Sequence, residues 1–273
     1  MLPNSARVTR QFHKMHGLGN DFVVLDAREQ PVTMTQALAK ALADRHLGIG
    51  CDQLILLEPS TTADVKMRIW NHDGGEVESC GNASRCVVSL TGARTLETGG
   101  GLVEGGTFGA EVEVSLPPPH FSWDEVPLTY PMDTARLPLA WGPLEHPMAL
   151  SVGNPHLVFF VEDERTIELV SLGPSIEHDP AFPERINVNV ASVRDDRIHL
   201  RTWERGSGLT LACGTGACAT AVAAIRRGLT DRKVELVLDG GSLTIEWREA
   251  DDHVLMTGPA AMPFRGRLEL DKL

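Results

Sequence analysis

Apolar residues recur along this chain in short runs, and several of the runs alternate apolar with polar positions. FVVLD (22–26), QLILLE (53–58), VKMRIW (65–70), AEVEVSL (110–116), LVFFVE (157–162), RIHLRTW (197–203), KVELVL (233–238) and SLTIEW (242–247) are rich in β-branched residues and predict strands. Three stretches keep a different period. MTQALAKALADRH (34–46) predicts an amphipathic helix. GTGACATAVAAIRRG (214–228) is small, alanine-rich and apolar until its basic end, with Gly228 as C-terminal cap, which describes a buried helix. NASRCVVSLTGAR (82–94) is its counterpart.

That counterpart belongs to a wider internal repeat. At an offset of 133, MRIWNHDGGEVESCG (from Met67) falls on LRTWERGSGLTLACG (from Leu200), matching Arg68 with Arg201, Trp70 with Trp203, Gly75 with Gly208 and both Cys-Gly pairs. At 134, LGNDFVV (18–24) falls on VGNPHLV (152–158), so Asn20 meets Asn154, and Gln53 meets Asn187. Three matches in one order at nearly one offset point to duplication. The pattern therefore predicts an α+β protein of two pseudo-symmetric domains, each a mostly antiparallel sheet or barrel around a central helix. The proline-rich stretch Ser115–Asp133 predicts the break, giving halves at 1–125 and 126–262. The last strand, 263–273, is a candidate to return to the first half.

Composition narrows the function classes. At 273 residues, 42% hydrophobic and with a mean hydropathy of −0.09, the chain can bury a sizeable core. No run approaches the roughly 18 to 20 apolar residues of a membrane span, and the first residues lack a signal-peptide core. A cytoplasmic protein is expected. The net charge of −12 argues against nucleic acid or an anionic membrane as main partner. HGLGND precedes a strand rather than a helix, so it is no dinucleotide fingerprint, and ETGGGLVEGG (97–106) lacks the Lys-Ser/Thr of a phosphate loop.

Five cysteines without a secretory signal favour thiols over a disulfide framework. The spacings C-x5-C (80 to 86) and C-x4-C (213 to 218) argue against zinc, although a zinc-bound structural module is the non-enzymatic alternative. Cys51, Cys86 and Cys218 read as small buried residues. Cys80 and Cys213 differ, because each precedes a predicted buried helix. A helix start leaves N–H groups without partners and carries about half a positive charge, so it favours a carboxylate and a thiolate. Two such thiols related by duplication suit a symmetric reaction. Inverting a stereocentre takes a proton from one face and returns one to the other, which two opposed acid/base groups can do. Taken alone, Asn20, Asn71, Asn154 and Asn187 read as turn residues, and half of a surface ion pair is the alternative reading of Glu204.

Taken together, KMHGLGNDFVVLD (14–26), ADRHLGIGCDQLILLEP (43–59), NHDGGEVESCGNASRC (71–86), GNPH (153–156), INVN (186–189) and ERGSGLTLACGTGACA (204–219) resemble the diaminopimelate epimerase family. The resemblance implies an enzyme free of cofactor and metal. It would interconvert LL- and meso-diaminopimelate in lysine and peptidoglycan synthesis, at a site in the cleft between two similar domains, often as a homodimer. It implies Cys80 and Cys213 as the acid/base pair, and Gly81, Asn82, Gly214 and Thr215 as amide donors to the carboxylate at the reacting carbon. Asn20, Gln53, Asn71, Asn154, Asn187, Glu204 and Arg205 would line the site, Arg205 suiting a distal carboxylate and Glu204 an ammonium group. The chain departs from the family pattern at Leu209 (often Glu), Ala83 (often Gly), His72 and Gly75 (in NHDGG), and Cys51. A racemase of another amino acid, on the same fold and thiol pair, is the alternative.

Overall fold

The computed structural model describes residues 9–270. The chain divides into two compact units, one of residues 1–106 and 260–273, the other of residues 107–259.

In the first unit, β1 (Thr9–Gly17) and β2 (Asn20–Asp26) form a hairpin. Its two-residue turn places both Leu18 (φ 56°) and Gly19 (φ 90°) in the left-handed region, the backbone of a type I′ hairpin. α1 (Gln36–Ala43) begins at Thr35, whose hydroxyl accepts from Leu38 N at 3.2 Å. It crosses over to β3 (Gln53–Glu58), which runs parallel to β2. β4 (Val65–Asn71) and the short β5 (Glu76–Val77) follow antiparallel, then α2 (Gly81–Thr91). β6 (Thr95–Thr98) returns parallel to β4, and β7 (Gly101–Phe108) closes a hairpin with it.

The second unit opens with β8 (Glu111–Leu116) and a two-residue hairpin of β9 (Ala140–Trp141) and β10 (Leu144–Glu145). β11 (Met148–Ser151) and β12 (Pro155–Phe160) are antiparallel. α3 (Leu169–Glu177) crosses to β13 (Asn187–Arg194), parallel to β12. β14 (Arg197–Glu204) and β15 (Gly208–Thr210) lead to α4 (Gly214–Arg226), and β16 (Lys233–Leu238) returns parallel to β14. β17 (Gly241–Trp247) and β18 (Val254–Pro259) complete it. β19 (Ala261–Glu269) then pairs antiparallel with β1 in the first unit; the end of the strand expected over 263–273, residues 271–273, lies outside the described residues.

The two units repeat one plan: antiparallel, parallel, antiparallel, antiparallel, parallel, antiparallel. The register repeats as well. Phe22 pairs with Gln53 as His156 pairs with Asn187, and Leu54 with Trp70 as Val188 with Trp203. This is the sheet-dominated α+β fold that the repeat predicts. The boundary differs from the expected 125/126, because β8 joins β18 and so belongs to the second unit despite preceding the proline-rich stretch. α1 is shorter than 34–46, since the chain leaves the helix at Asp44 and the Asp44 carboxylate caps the turn by accepting from the amides of His46 and Leu47. α3 escapes the sequence patterns because Pro174 interrupts it.

Each unit's sheet is buried on both faces, as a sheet covered by helices is. On one face of the first unit, Val23, Leu25, Leu54, Leu56 and Trp70 pack with Ala39 and Leu42 of α1. The equivalent face of the second unit packs Leu157, Phe159, Val188 and Val190 with Leu169 and Ile176 of α3. α4 covers the opposite face, against β11 to β14 and β16 to β18, and α2 lies against β1 and β2. α4 is built of small residues, buried from Ala217 through Ala224, which lets the strands approach it closely. No helix among the described residues is long and apolar enough to cross a membrane.

Candidate active site

Both buried helices start in the same way. The cysteine before each is extended backbone at the N-cap, Cys80 at φ −153°, ψ 113° and Cys213 at φ −106°, ψ 111°. Each gives its carbonyl to the first helical hydrogen bond, from Ser84 N and Ala217 N respectively, both at 2.9 Å. The leading amides of Gly81 and Asn82, and of Gly214 and Thr215, precede that bond and have no helical acceptor. The positive end of the helix dipole lies beside each sulfur. A carboxylate docking there meets N–H groups that the helix itself does not use.

In the first unit the surrounding side chains hold one another. Cys80 Sγ lies 3.9 Å from Asn20 Oδ1, which also accepts from Asn82 Nδ2 at 3.2 Å. Asn82 Oδ1 accepts from Arg85 Nη2 at 2.9 Å. Arg85 is fully buried, and Gly17 makes room for it, since a Cβ there would stand 3.0 Å from Nη2. Asn20 in turn donates to Asp52 Oδ2 at 3.1 Å, and Asp52 is gripped by Arg45 Nη2 at 2.7 Å. Arg45 and Lys14 both pair with Asp21, and together they hold its carboxyl well below the usual carboxylate range despite its burial. Gln53 and Asn71, opposite each other on β3 and β4, are joined by Nε2 to Oδ1 at 2.9 Å.

In the second unit Cys213 is almost wholly buried. Its sulfur accepts from Gly216 N at 3.3 Å and lies 3.6 Å from Thr215 Oγ1. Burial pushes the thiol well up, and the Glu204 carboxylate adds to that rise, while Thr215 and the Gly216 amide oppose it. Glu204 also accepts from Thr210 Oγ1 at 2.5 Å. Asn154 Nδ2 donates to Thr215 Oγ1 at 3.3 Å. Asn187 Oδ1 accepts from the Arg205 amide at 2.9 Å and fixes the turn after β14. The Arg205 guanidinium is exposed and donates to Glu184 O at 3.1 Å.

The structure thus links Asn20, Cys80 and Asn82 in one unit, and Asn154, Glu204, Cys213 and Thr215 in the other. The four asparagines stand at or beside strand ends rather than within free turns. Cys51, Cys86 and Cys218 are core, and burial lifts the Cys51 and Cys86 thiols to about 12. Several supporting residues escaped the sequence reading: Asp52, Arg85, Thr210, and the buried trio His156, Asn189 and Thr202. The trio had a signal, because the repeat sets them opposite Phe22, Ile55 and Ile69, polar against apolar at equal positions. Among the described residues, no group of three or more His, Cys, Asp or Glu could hold a metal ion.

The doubled sheet is a fold shared with solved structures described as a hydroxyproline epimerase and a PhzF-family protein. A hydroxyproline epimerase from Agrobacterium vitis superposes with a TM-score of 0.70 at 16% identity, over 98% of this chain and 94% of the other. A phenazine biosynthesis protein of the PhzF family from Enterococcus faecalis gives 0.71 at 14% identity, over 96% and 99%. At such identities the likeness is one of fold. A family model described as diaminopimelate epimerase matches residues 12–112 and 148–263. Curated diaminopimelate epimerases are 60% identical (Erythrobacter litoralis, 94% of this chain and 97% of that one) and 61% identical (Rhizorhabdus wittichii, 95% and 96%). The chain belongs to the diaminopimelate epimerase family and is an isomerase.

Proposed function

We propose that this protein interconverts LL- and meso-diaminopimelate by proton transfer between the substrate α-carbon and two thiols, Cys80 and Cys213. The observation that carries the reading is the repeated one: two cysteines at equivalent N-caps, each heading a buried helix, in a chain of this family. One cysteine enters as thiolate and removes the α-proton. The other enters as thiol and delivers a proton to the opposite face, and the pair ends the turnover with states exchanged.

An α-proton beside an ammonium and a carboxylate is weakly acidic, so the charge that develops on deprotonation must be met. The amides of Gly81, Asn82, Gly214 and Thr215 are suited to that task, because they are fixed by their helices before substrate arrives. Asn20 and Asn154 place carboxamides beside the two helix starts, while Gln53, Asn71 and Asn187 complete the polar lining. Arg205, with guanidinium donors to spare, suits the distal carboxylate. Glu204 is assigned to an ammonium group, and its nearness to Cys213 adds a second effect, holding that sulfur protonated until the substrate's positive charge offsets it. No cofactor or metal enters the scheme. The activity would serve lysine and peptidoglycan synthesis in the cytoplasm, with the protein acting as a homodimer.

The test is deuterium wash-in. Purified protein in D2O with LL-diaminopimelate and no added cofactor should yield meso product with deuterium at the inverted α-carbon. Cys80→Ser and Cys213→Ser should each lose about 10²- to 10⁴-fold in kcat. Normal epimerisation by both variants would overturn the two-thiol scheme. Inert diaminopimelate, alongside racemisation of another amino acid in a chiral-chromatography panel, would overturn the substrate assignment.

A further inference from the structure

Behind Cys213 lies a chain of buried polar side chains that the scheme above does not use. Thr202, Asn189 and His156 sit on adjacent strands β14, β13 and β12, on the face covered by α4, and expose 2%, 0% and 0% of their surface. Thr202 Oγ1 donates to Asn189 Oδ1 at 3.0 Å. Asn189 Nδ2 reaches Leu157 O at 2.9 Å and His156 Nδ1 at 3.1 Å. His156 Nε2 reaches Asn154 Oδ1 at 2.9 Å, and Asn154 Nδ2 leads on to Thr215 and Cys213.

The direction of each bond from Asn189 to Thr215 follows from one acceptor. A backbone carbonyl cannot donate, so the Asn189 atom facing Leu157 O is nitrogen. That nitrogen also faces His156 Nδ1, which is therefore the unprotonated ring nitrogen. The ring proton sits on Nε2 and donates to Asn154, so the Asn154 atom facing it is oxygen and its amide nitrogen points at Thr215. The Thr215 oxygen accepts there, which leaves its own proton available to the sulfur 3.6 Å away. The ring is neutral as this requires: complete burial holds its pKa down at about 3, with the nearby Arg205 charge acting in the same sense. No proton travels along the chain, since its two carboxamides only orient.

Packing of the fold does not demand these polar groups. The first unit fills the same three positions with Phe22, Ile55 and Ile69, all fully buried and in the same ladder register. A buried polar trio in place of an apolar one adds desolvation cost without adding contacts the sheet needs. Gly216 is kept free of a side chain for it: a Cβ there would stand 2.6 Å from Asn189 Oδ1 and 3.1 Å from Thr202 Oγ1. The equivalent residue in the first unit is Ala83, fully buried.

We infer that Asn189 and Thr202 are positioning residues for Cys213: anchored on the Leu157 carbonyl, they fix the tautomer of His156 and, through Asn154, aim the Thr215 hydroxyl at the sulfur. The relay gives Cys213 a second hydrogen-bond donor beside the Gly216 amide, against the Glu204 carboxylate that disfavours thiolate. Its importance for turnover rests on the two-thiol scheme. Its existence does not.

The experiment reads the relay at both ends. In protein labelled with ¹⁵N-histidine, His156 should show the Nε2–H tautomer and remain neutral down to pH 5. A ring protonated on Nδ1 would overturn the inference outright. In protein labelled with ¹³Cβ-cysteine, Asn189→Ile with Thr202→Ile, borrowed from the first unit, should raise the thiol–thiolate midpoint of Cys213 and leave that of Cys80 in place. kcat should fall about tenfold to a hundredfold with KM within about twofold, as for one misdirected hydrogen bond to an ionised group. An unmoved Cys213 midpoint overturns the relay even if epimerisation is lost. A moved midpoint with normal turnover supports the relay and contradicts the two-thiol scheme instead. Should the double variant fail to fold, Thr215→Val removes the final donor alone, and an unmoved Cys213 midpoint there is equally fatal.

Discussion

The two thiol-bearing helix starts have the same backbone and different electrostatics. Next to Cys80, the third residue of the helix start is Ala83 and the helix carries a fully buried guanidinium, Arg85, tied to Asn82. Next to Cys213, the same positions are Gly216 and Cys218, and the charge nearby is the Glu204 carboxylate, where the first unit has Asn71. The strands behind differ in the same way, apolar Phe22, Ile55 and Ile69 against polar His156, Asn189 and Thr202. Duplication kept the parts that set geometry: ladder order, register and an extended cysteine at each N-cap. What diverged is the charge and hydrogen-bond supply to each sulfur. On the proposed scheme, two bases that alternate as donor and acceptor toward an unsymmetrical amino-acid centre do not need identical surroundings, and those of Cys80 and Cys213 differ.

The His156–Phe22 difference has the largest expected consequence. A ring with a folded pKa of about 3, against about 6.5 unfolded, favours the native state only while neutral. Its contribution is full above pH 6.5 and is lost as pH falls toward 3. At pH 4.5 the native state should have lost about 2 to 3 kcal/mol relative to pH 7 through this group. His156→Phe should abolish that portion of the acid sensitivity. The variant itself should cost about 1 to 3 kcal/mol at pH 7, because Asn189 and Asn154 lose a partner. Urea unfolding at the two pH values isolates the effect, since the fixed cost cancels in the difference. An unchanged pH difference would mean that the second unit tolerates a charged ring where the first unit holds a phenyl.

A paired exchange at Ala83 and Gly216 is the next largest. Gly216→Ala drives a methyl into Asn189 and Thr202 and should cost about 1 to 3 kcal/mol as overpacking, with a matching fall in kcat. Ala83→Gly should cost about 1 kcal/mol from helix propensity, with turnover close to wild type. Thermal unfolding and steady-state rates on both variants test this. Equal costs, or a harmless Gly216→Ala, would show that the two helix starts are packed alike after all.

Much of this was legible before any coordinates. The strand pattern and the repeat offset gave an α+β fold built twice, and the Cys-Gly pairs fell at helix starts because small residues followed by an apolar run behave that way. The unit boundary was not legible. Proline content marks where regular structure stops, but β8 pairs with β18, across nearly the full length of its unit, and such a partner leaves no local trace. The buried relay was half legible. A polar residue at a strand position looks like ordinary alternation when read singly, and only comparison with Phe22, Ile55 and Ile69 shows that a core position has been made polar. Arg85 was hidden for the opposite reason, since an arginine in a helix is normally solvated and nothing in its neighbours announces a partner in Asn82.

The smallest effect tests whether the two ladders are interchangeable where the repeat aligns Glu76 with Leu209. In the first unit Glu76 holds Arg68 in a two-point pair, at 2.7 and 2.8 Å. In the second, Leu209 offers no carboxylate, and the equivalent Arg201 donates instead to Ile167 O at 3.0 Å and Glu164 O at 3.3 Å. Those carbonyls satisfy the guanidinium and tie β14 to the segment before α3. Leu209→Glu therefore adds a charge at a position that is 37% exposed, facing an arginine already engaged. The change in stability should stay within about 0.5 kcal/mol, as for an exposed ion pair, with KM unchanged. Urea midpoints in low and high salt test it. A gain above about 1 kcal/mol that disappears in salt would mean that Arg201 has left the two carbonyls for the new carboxylate. The second ladder would then have kept the capacity for the pair that the first still makes.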